Sequence, residues 1–270
     1  MRIEGTHVIV TGAAGGIGKA LAEAFHTAGA RGVVVTDINA AGAETVAARL
    51  NGIRRGSALG IGADIGSAAG NEALIDAAQA AFGAVDLFFA NAGVGLGSDL
   101  LSATDSDWET SFNVNVNAHI WAARRLMPEW LERGHGYFAS TASAAGLLTQ
   151  IGSAPYSVTK HAAVSFAEWL SVTYGDRGLR VSCLCPMGVN TNMLNGGDLG
   201  GENKAGDVVR SAGIVLEPAD VAAIVVEAID NEQFLILPHP QVLTFFQRKG
   251  ADYDRWLAGM RRLQARVAGV

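Results

Sequence analysis

Tyr156 and Lys160 are two side chains whose types and spacing could carry out acid–base chemistry. The apolar residues that follow them predict a buried helix, on which positions i and i+4 share one face. A phenol, with a pKa of about 10, is a poor base at neutral pH. An ammonium about 4 Å away, at an effective dielectric of ~20, would favour the phenolate by roughly 4 kcal/mol, or about three pKa units. Tyr156 is therefore predicted to act as a general acid or base near neutral pH.

Ser143 precedes this helix on a predicted loop and could donate a hydrogen bond to the same substrate oxygen. The alternative is a helix with an interfacial tyrosine and a lysine whose stem packs on apolar surface while its amine reaches solvent. A tyrosine and a lysine four residues apart do not decide between these alternatives. The elements that would position the two side chains provide the evidence needed to choose between the alternatives.

The first element is a short β-rich run, 7–11, followed by a turn that contains Gly12, Gly16 and Gly18. A helical pattern begins at Ile17, and strand, glycine turn and helix together aim backbone N–H groups at a phosphate. A P-loop is excluded, because its glycine spacing and its Ser/Thr after the lysine are missing. The common dinucleotide spacing G-x-G-x-x-G also fits poorly, so a plain strand–helix turn remains an alternative.

The second strand, 32–36, ends at Asp37. An acidic residue at this point, about 20 residues past the glycine turn, accepts the ribose hydroxyls of adenosine. A carboxylate also repels a 2′-phosphate, which favours NAD over NADP. The alternative is an aspartate that only caps the helix predicted over 40–50.

Strands and helices then alternate along the chain, and this predicts a doubly wound parallel sheet of about seven strands with helices on both faces, an α/β Rossmann-type fold. We expect one domain over 1–270, with a core over 5–240 and a helical tail over 241–270. Three asparagines, Asn113, Asn115 and Asn117, fall in the predicted helix 107–133 and indicate a local distortion or a purpose. The later predicted elements are strand 58–61, helix 68–82, strand 85–90, helix 107–133, strand 136–140, a helix to about 174, strand 179–185, helix 219–231 and strand 234–237.

Composition excludes several classes of protein. A net charge of −6 and a pI near 5.5 argue against nucleic acid or an anionic membrane as the main partner. Cys183 and Cys185 lie two apart on one predicted strand, as buried thiols without the further ligands of a metal site. The sequence shows neither a signal peptide nor an apolar run of membrane-spanning length, so a cytoplasmic location is expected.

These motifs together resemble the short-chain dehydrogenase/reductase family over about residues 5–240. The resemblance rests on five motifs in the family's order and spacing: Thr11–Gly18, Asn91-Ala92-Gly93 after Asp64, Asn115, Ser143, and Tyr156 with Lys160.

The resemblance implies that Tyr156 is the general acid/base and that Ser143 steadies the substrate oxygen. Lys160 would bind the nicotinamide ribose and lower the pKa of Tyr156, while Asn115 would hold a water that connects Lys160 to solvent. Thr191 matches the threonine that holds the carboxamide. The full set of implied NAD contacts is Gly12, Gly16, Ile17, Gly18, Asp37, Ile38, Asp64, Ile65, Asn91, Ala92, Gly93, Tyr156, Lys160, Pro186, Val189 and Thr191.

Two residues depart from the family pattern. Met187 stands where a glycine usually follows Pro186, so the loop beside the nicotinamide is expected to turn differently. Ala118 replaces a usual glycine and is expected to alter packing alone.

The expected function is hydride transfer between NAD and an apolar secondary alcohol or ketone. Two alternatives are an NADPH-dependent carbonyl reductase, which Asp37 and Ala14 oppose, and a non-catalytic NAD-binding redox sensor, which would be expected to lose Tyr156 or Lys160. By position in the family, the substrate would meet uncharged side chains, a lining that disfavours phosphorylated or carboxylate substrates. The expected lining residues are Val94, Leu147, Gln150, Met187, Met193 and Leu194.

The tail carries an apolar helical stripe, with basic side chains beside it. Left in water, such a stripe would be an exposed patch that monomers rarely carry. We expect it to be buried against protein, either on its own subunit as a wall of the pocket or on a neighbour, in a homo-oligomer that is most simply a tetramer. A membrane-surface role for this basic amphipathic helix is a further alternative. The stripe residues are Tyr253, Trp256, Leu257, Met260, Leu263 and Val267.

Overall fold

Seven parallel strands form one sheet in the order β3-β2-β1-β4-β5-β6-β7 in a computed structural model of the chain. The structure describes residues 1–97, 99–196, 206, 208–210 and 213–268. The strand order reverses between β1 and β4, which lie side by side at the centre of the sheet. In such sheets ligands bind at this reversal, beyond the carboxyl ends of the strands. The predicted doubly wound sheet is confirmed.

The strands are β1 (His7–Thr11), β2 (Gly32–Asp37), β3 (Ala58–Gly62), β4 (Leu87–Ala90), β5 (Gly136–Thr141), β6 (Leu179–Leu184) and β7 (Leu235–Ile236). The α-helices among the described residues are α1 (Gly16–Thr27), α2 (Ala40–Ile53), α3 (Ala68–Phe82), α4 (Asp105–Phe112), α5 (Ala118–Arg133), α6 (Ala154–Tyr174), α7 (Asn192–Asn195), α8 (Pro218–Asp230), α9 (Gln241–Ala251) and α10 (Tyr253–Ala268).

The sheet is buried on both faces, as expected for a parallel sheet with helices on each side. One face packs against α3, α5 and α6, with Phe88 and Phe138 stacked at its centre. The other face packs against α1, α2 and α8 around Phe25 and Phe89. Because strand residues alternate between these two cores, the central strands are apolar almost throughout. This rigid sheet holds the loops at its carboxyl edge.

The single long helix predicted over 107–133 is wrong in one respect. A π-helical turn at Asn113–Asn117 separates α4 from α5. Single π turns of this kind commonly occur at functional sites. The three asparagines therefore marked a real distortion, and Asn115 lies within it, fully buried.

The tail forms two helices, α9 and α10, rather than one. On α9, Val242 and Lys249 are buried, whereas the stripe on α10 is only half covered within one chain. Tyr253 is 55% exposed and Leu257 is 38% exposed. The side chain of Val267 lies outside the described residues.

No helix in the described part of the chain is both long and apolar enough to cross a membrane.

Candidate active site

A cleft of about 730 Å³ lies along the carboxyl edge of the sheet, beyond the ends of β1 to β6. Its lining includes every predicted cofactor residue from Gly12 to Thr191, together with Ser143, Tyr156 and Lys160. Of the predicted catalytic and cofactor residues, only Asn115 does not line the cleft. Gly12 and Thr191, far apart in sequence, thus line one elongated space, because they follow the ends of β1 and β6 in the same sheet.

Tyr156 and Lys160 project from the first turns of α6, which begins at Ala154 with Pro155 in its first turn. The Nζ atom of Lys160 lies 5.6 Å from the centre of the Tyr156 ring. It also donates a hydrogen bond of 2.9 Å to the carbonyl of Thr141, at the end of β5. The lysine is therefore held between the helix and the sheet, with only 2% of its surface exposed.

The ionisation of these two side chains differs from the expectation. Burial raises the pKa of Tyr156, and the hydrogen bond with Ser143 lowers it in part. Burial lowers the pKa of Lys160 to about 8, against a smaller opposite effect from the thiols of Cys183 and Cys185. Burial thus shifts both groups towards their neutral forms. The expected lowering of the Tyr156 pKa is not seen, because the effect of burial outweighs that of the Ser143 hydrogen bond.

Ser143 begins a 3₁₀ turn (Ala144–Gly146) directly after β5. Its Oγ accepts a hydrogen bond of 3.1 Å from the N–H of Ala145, which fixes the side chain beside Tyr156. The next backbone N–H, of Ala144, donates to the carbonyl of Pro186 at 2.8 Å. The serine loop and the loop after β6 are thereby joined.

Asn115 reaches out of the π turn to the segment after β4. Its Oδ1 accepts from the N–H of Val94 at 2.9 Å, and its Nδ2 donates to the Val94 carbonyl and to Thr159 Oγ1, each at 3.0 Å. Both N–H donors of the Asn115 side chain are used within the protein. A water held by Asn115 would therefore have to donate to one of the oxygen atoms of this residue. The contacts give Asn115 a positioning effect on Val94, which lines the cleft.

The glycine turn brings the N-terminus of α1 to the cleft. Gly12 and Gly16 have positive φ angles of 64° and 52°, which favour glycine because other side chains are strained there. An added Cβ on Gly18 would lie 2.1 Å from the Gly12 carbonyl, whereas one on Gly15 would meet nothing within 4 Å. None of the described side chains caps this helix end. Open space before an uncapped helix N-terminus fits a phosphate group.

Asp37 lies at the end of β2, with its carboxylate bound by the backbone on both sides. One oxygen accepts from the N–H of Ala14 and the other from the N–H of Asn39, each at 3.0 Å. This arrangement fixes the charge beside the glycine turn. The cap of α2, which was the alternative function for Asp37, is provided by Asn39, whose side chain accepts from the N–H of Gly42. Ile38 is 79% exposed at the rim.

Asp64 and Ile65 follow β3 at the same edge. The Oδ1 atom of Asp64 accepts from the N–H of Gly66 at 2.9 Å, which holds the turn, while Ile65 is mostly buried and packs beneath the cleft.

Two threonines, neither with a function predicted from the sequence, fix the end of β4. Thr11 Oγ1 accepts from the N–H groups of Asn91 and Ala92, each at 3.0 Å. Thr141 Oγ1 donates to Asn91 Oδ1 at 2.9 Å, and Asn91 in turn donates to the Thr11 carbonyl. A polar residue at the carboxyl end of an apolar strand was the available signal, and both threonines show it.

The loop after β6 brings Pro186, Val189 and Thr191 to the cleft. Thr191 Oγ1 accepts from the N–H of Leu194 at 3.4 Å, at the start of α7. Its Cγ2 lies 3.2 Å from where a Cβ on Gly16 would be, so this loop closes over the glycine turn. Of the predicted substrate residues, Leu147 is corrected: its side chain packs into the core under the cleft.

Comparison with known proteins identifies the class. Residues 6–198 match the family model described as short chain dehydrogenase. The chain belongs to this family of oxidoreductases.

Three relatives illustrate its range. D-threitol dehydrogenase of Mycolicibacterium smegmatis is 32% identical over 228 residues, 83% of this chain and 86% of that protein. The 1-deoxy-11-beta-hydroxypentalenate dehydrogenase of Streptomyces exfoliatus is 35% identical over 239 residues, 87% and 84% of the two chains. A short chain dehydrogenase/reductase from Burkholderia phymatum, solved in complex with NAD, superposes with a TM-score of 0.84 at 30% identity and covers 94% of this chain and 96% of its own.

Proposed function

We propose that the protein is an NAD-dependent dehydrogenase that interconverts an apolar secondary alcohol and its ketone. The observation that carries the proposal is one cleft with a tyrosine and a lysine at one end and an uncapped helix N-terminus beside Asp37 at the other. The first pair suits proton transfer, and the second pair suits a dinucleotide.

The choice of NAD over NADP rests on charge. Asp37 places a fixed carboxylate where a 2′-phosphate would lie. Among the described residues that line the cleft, Lys160 is the only cation, and it lies at the opposite end. The glycine turn and α1 would hold the pyrophosphate, and Asn91, Pro186, Val189 and Thr191 would surround the nicotinamide half. When bound, NAD would accept the hydride during oxidation, and NADH would supply it during reduction.

Tyr156 would take the proton from the substrate hydroxyl during oxidation and return it to the carbonyl oxygen during reduction. Ser143, fixed beside it, would hydrogen-bond the same oxygen. Lys160 would contact the nicotinamide ribose and favour the phenolate by its charge. Asn115 would keep Val94 and Thr159 in place around this group and would hold a water that leads the proton towards solvent.

The substrate end of the cleft favours an apolar molecule. Val94, Met187, Met193, Leu194 and Val209 contribute apolar surface. Gln150 and Ser153 are polar side chains in the same lining, and each could bind one further oxygen of a substrate. None of the described side chains at this end carries a charge except Lys160, which disfavours carboxylate and phosphorylated substrates.

The test is steady-state turnover with NAD and with NADP against a panel of secondary alcohols that differ in size and polarity. We expect oxidation with NAD and higher kcat/KM for apolar alcohols than for polyols. Comparable kcat/KM values with NAD and NADP would reject the cofactor assignment. NAD binding without turnover of any alcohol or ketone would instead favour a non-catalytic redox sensor.

We also propose that the protein is a homo-oligomer, most simply a tetramer. Trp169 is 54% exposed and Val172 is 87% exposed on α6, and the stripe of α10 is only half covered within one chain. Apolar surface of this extent is typical of subunit interfaces. Sedimentation of the full chain tests the assembly.

A further inference from the structure

His239 lies three residues past the end of β7 and is 98% buried, with 2% of its surface exposed. Its ring joins three segments of the chain. Nδ1 accepts a hydrogen bond of 3.1 Å from the N–H of Met187. Nε2 lies 3.1 Å from the carbonyl of Gly188 and 3.1 Å from that of Ile214.

These contacts fix the tautomer of the ring. Because Nδ1 accepts from a backbone N–H, the proton must be on Nε2, where both neighbours are carbonyl acceptors. Burial lowers the pKa of His239, which agrees with a neutral imidazole. All the hydrogen-bonding capacity of the ring is therefore used to hold backbone atoms.

The backbone that His239 holds is the loop over 186–191, which lines the nicotinamide half of the cleft. The loop is fixed at its start by the bond from Ala144 to the Pro186 carbonyl, next to Ser143. It is fixed further on by the bond from Leu216 to the Gly188 carbonyl. Between these two points, the described contact of the Met187 N–H is the one to His239.

Met187 is the residue that departs from the family's usual glycine. Its side chain is directed into the cleft lining, and its Cε would lie only 2.8 Å from a Cβ added to Gly213. The loop is thus packed closely on the side of residue 213 and tied by His239 through the backbone. A methionine has less backbone freedom than a glycine, and the hydrogen bond to His239 fixes the direction of its N–H.

We propose that His239 is a positioning residue, which holds the 186–191 loop so that the nicotinamide lies correctly against Ser143 and Tyr156. It touches neither the substrate nor the reacting atoms. The inference rests on the proposed function, since it assumes that NAD binds with its nicotinamide at this end. It predicts that His239 affects the nicotinamide half of the ligand and leaves the adenosine half unaffected.

The experiment measures the affinity of the full-length protein for NAD and for ADP-ribose, which lacks the nicotinamide, by calorimetry. For His239→Leu we expect the Kd of NAD to rise about tenfold, the worth of one buried hydrogen bond, and kcat to fall. The Kd of ADP-ribose should remain within about twofold of the wild-type value. His26→Leu is the matched control, because His26 is also buried but binds Ser57 away from the cleft.

A second variant tests the tie itself. In His239→Asn, the Oδ1 atom takes the place of Nδ1 and can still accept from the Met187 N–H, so NAD affinity should recover most of the loss. Equal weakening of NAD and ADP-ribose in both variants would show a merely structural effect and overturn the inference. Unchanged NAD affinity and kcat in His239→Leu would overturn it as well. If the wild-type protein binds neither ligand, the proposed function and the inference both fail. If the wild-type protein binds both ligands but the His239 variants weaken NAD and ADP-ribose equally, the inference alone is rejected.

Discussion

The Nζ atom of Lys160 lies 5.6 Å from the centre of the Tyr156 ring and is bonded to the carbonyl of Thr141. The lysine is thus close enough to act on the phenol but is held by the sheet. Burial favours the neutral form of both groups, with the pKa of Tyr156 raised and that of Lys160 lowered to about 8. Proton abstraction by Tyr156 near neutral pH therefore requires NAD binding to shift this balance towards the phenolate.

The pH profile of alcohol oxidation tests that shift. Oxidation needs Tyr156 as a base, so kcat/KM should rise with pH through the pKa of this group, and ketone reduction should fall through it. We expect the rise to have an apparent pKa below 10. In Lys160→Ala the rise should move to higher pH, because the positive charge that favours the phenolate is lost, and NAD affinity should also fall. A rise at the same pH in this variant would mean that Lys160 does not act on the phenol.

Cofactor choice should depend on the charge of Asp37. Asp37→Asn keeps the shape of the side chain and one oxygen acceptor for the loop, yet removes the repulsion of a 2′-phosphate. At a few ångströms and a high effective dielectric, this repulsion is worth about 1–4 kcal/mol. The ratio of kcat/KM for NAD to that for NADP should therefore fall by about tenfold or more. Asn39→Ala, which alters the neighbouring cap without changing the charge, serves as the control, and the same fall there would contradict the assignment.

Much of this site could be predicted from sequence, because the motifs depend on local spacing. To predict that Tyr156 and Lys160 lie together requires only a helix, and to predict the position of Asp37 requires only the end of a strand. The hydrogen bonds that Asn91 donates to Thr11 and Asn115 donates to Thr159 could not be predicted, since they join residues that only the strand order brings together. The same is true of burial, which reversed the expected direction of the Tyr156 pKa.

His119 should make the fold sensitive to acid. It is buried on α5, and neither ring nitrogen has a hydrogen-bond partner among the described residues. Burial, with a smaller effect of the Lys160 charge, lowers the pKa of His119 from 6.5 to about 3. Below pH 6.5 the unfolded chain therefore binds a proton that the folded chain does not, so this contribution to stability is full above 6.5 and is lost as the pH falls towards 3.

The loss from this one group by pH 5 is about 2 kcal/mol. His119→Phe, which keeps a ring against Phe138, should remove it. Urea unfolding at pH 8 and pH 5 measures the difference, with the exposed His135→Gln as the control. If His119→Phe and the wild type lose equal unfolding free energy between these two pH values, His119 is excluded as a cause of the acid sensitivity.

The C-terminal tail should stabilise the loop that follows Ser143. Lys249 is buried and donates to the carbonyls of Leu147 and Leu148 at 2.8 and 3.1 Å. Its Nζ lies 5.5 Å from the ring centre of Tyr253 and 5.2 Å from that of Trp256. Both rings come from α10, so they cover the amine and stabilise it by cation–π contact. No residue of the described tail lines the cleft itself.

Deletion of residues 251–270 should therefore reduce solubility or raise KM for bulky substrates, with NAD affinity retained. The deletion removes support from the loop after Ser143, which carries Gln150 into the substrate end of the cleft. The adenosine end of the cleft is remote from this loop. Deletion of 267–270 alone keeps both rings and is the control. A protein that lacks 251–270 and has the same oligomeric mass, unfolding free energy and KM as the full chain would show that the stripe has no such function.

The central claim, that Tyr156 transfers the proton in an NAD-dependent oxidation, is tested most directly by Tyr156→Phe. The measurement is kcat for an alcohol that the wild-type protein oxidises, together with the Kd of NAD for the same variant. Tyr174→Phe, on the same helix but packed against Trp169, is the control. We predict that kcat falls by about 10²–10⁴-fold while the Kd of NAD changes little and the control remains active. Turnover in Tyr156→Phe close to that of the wild type would contradict the account.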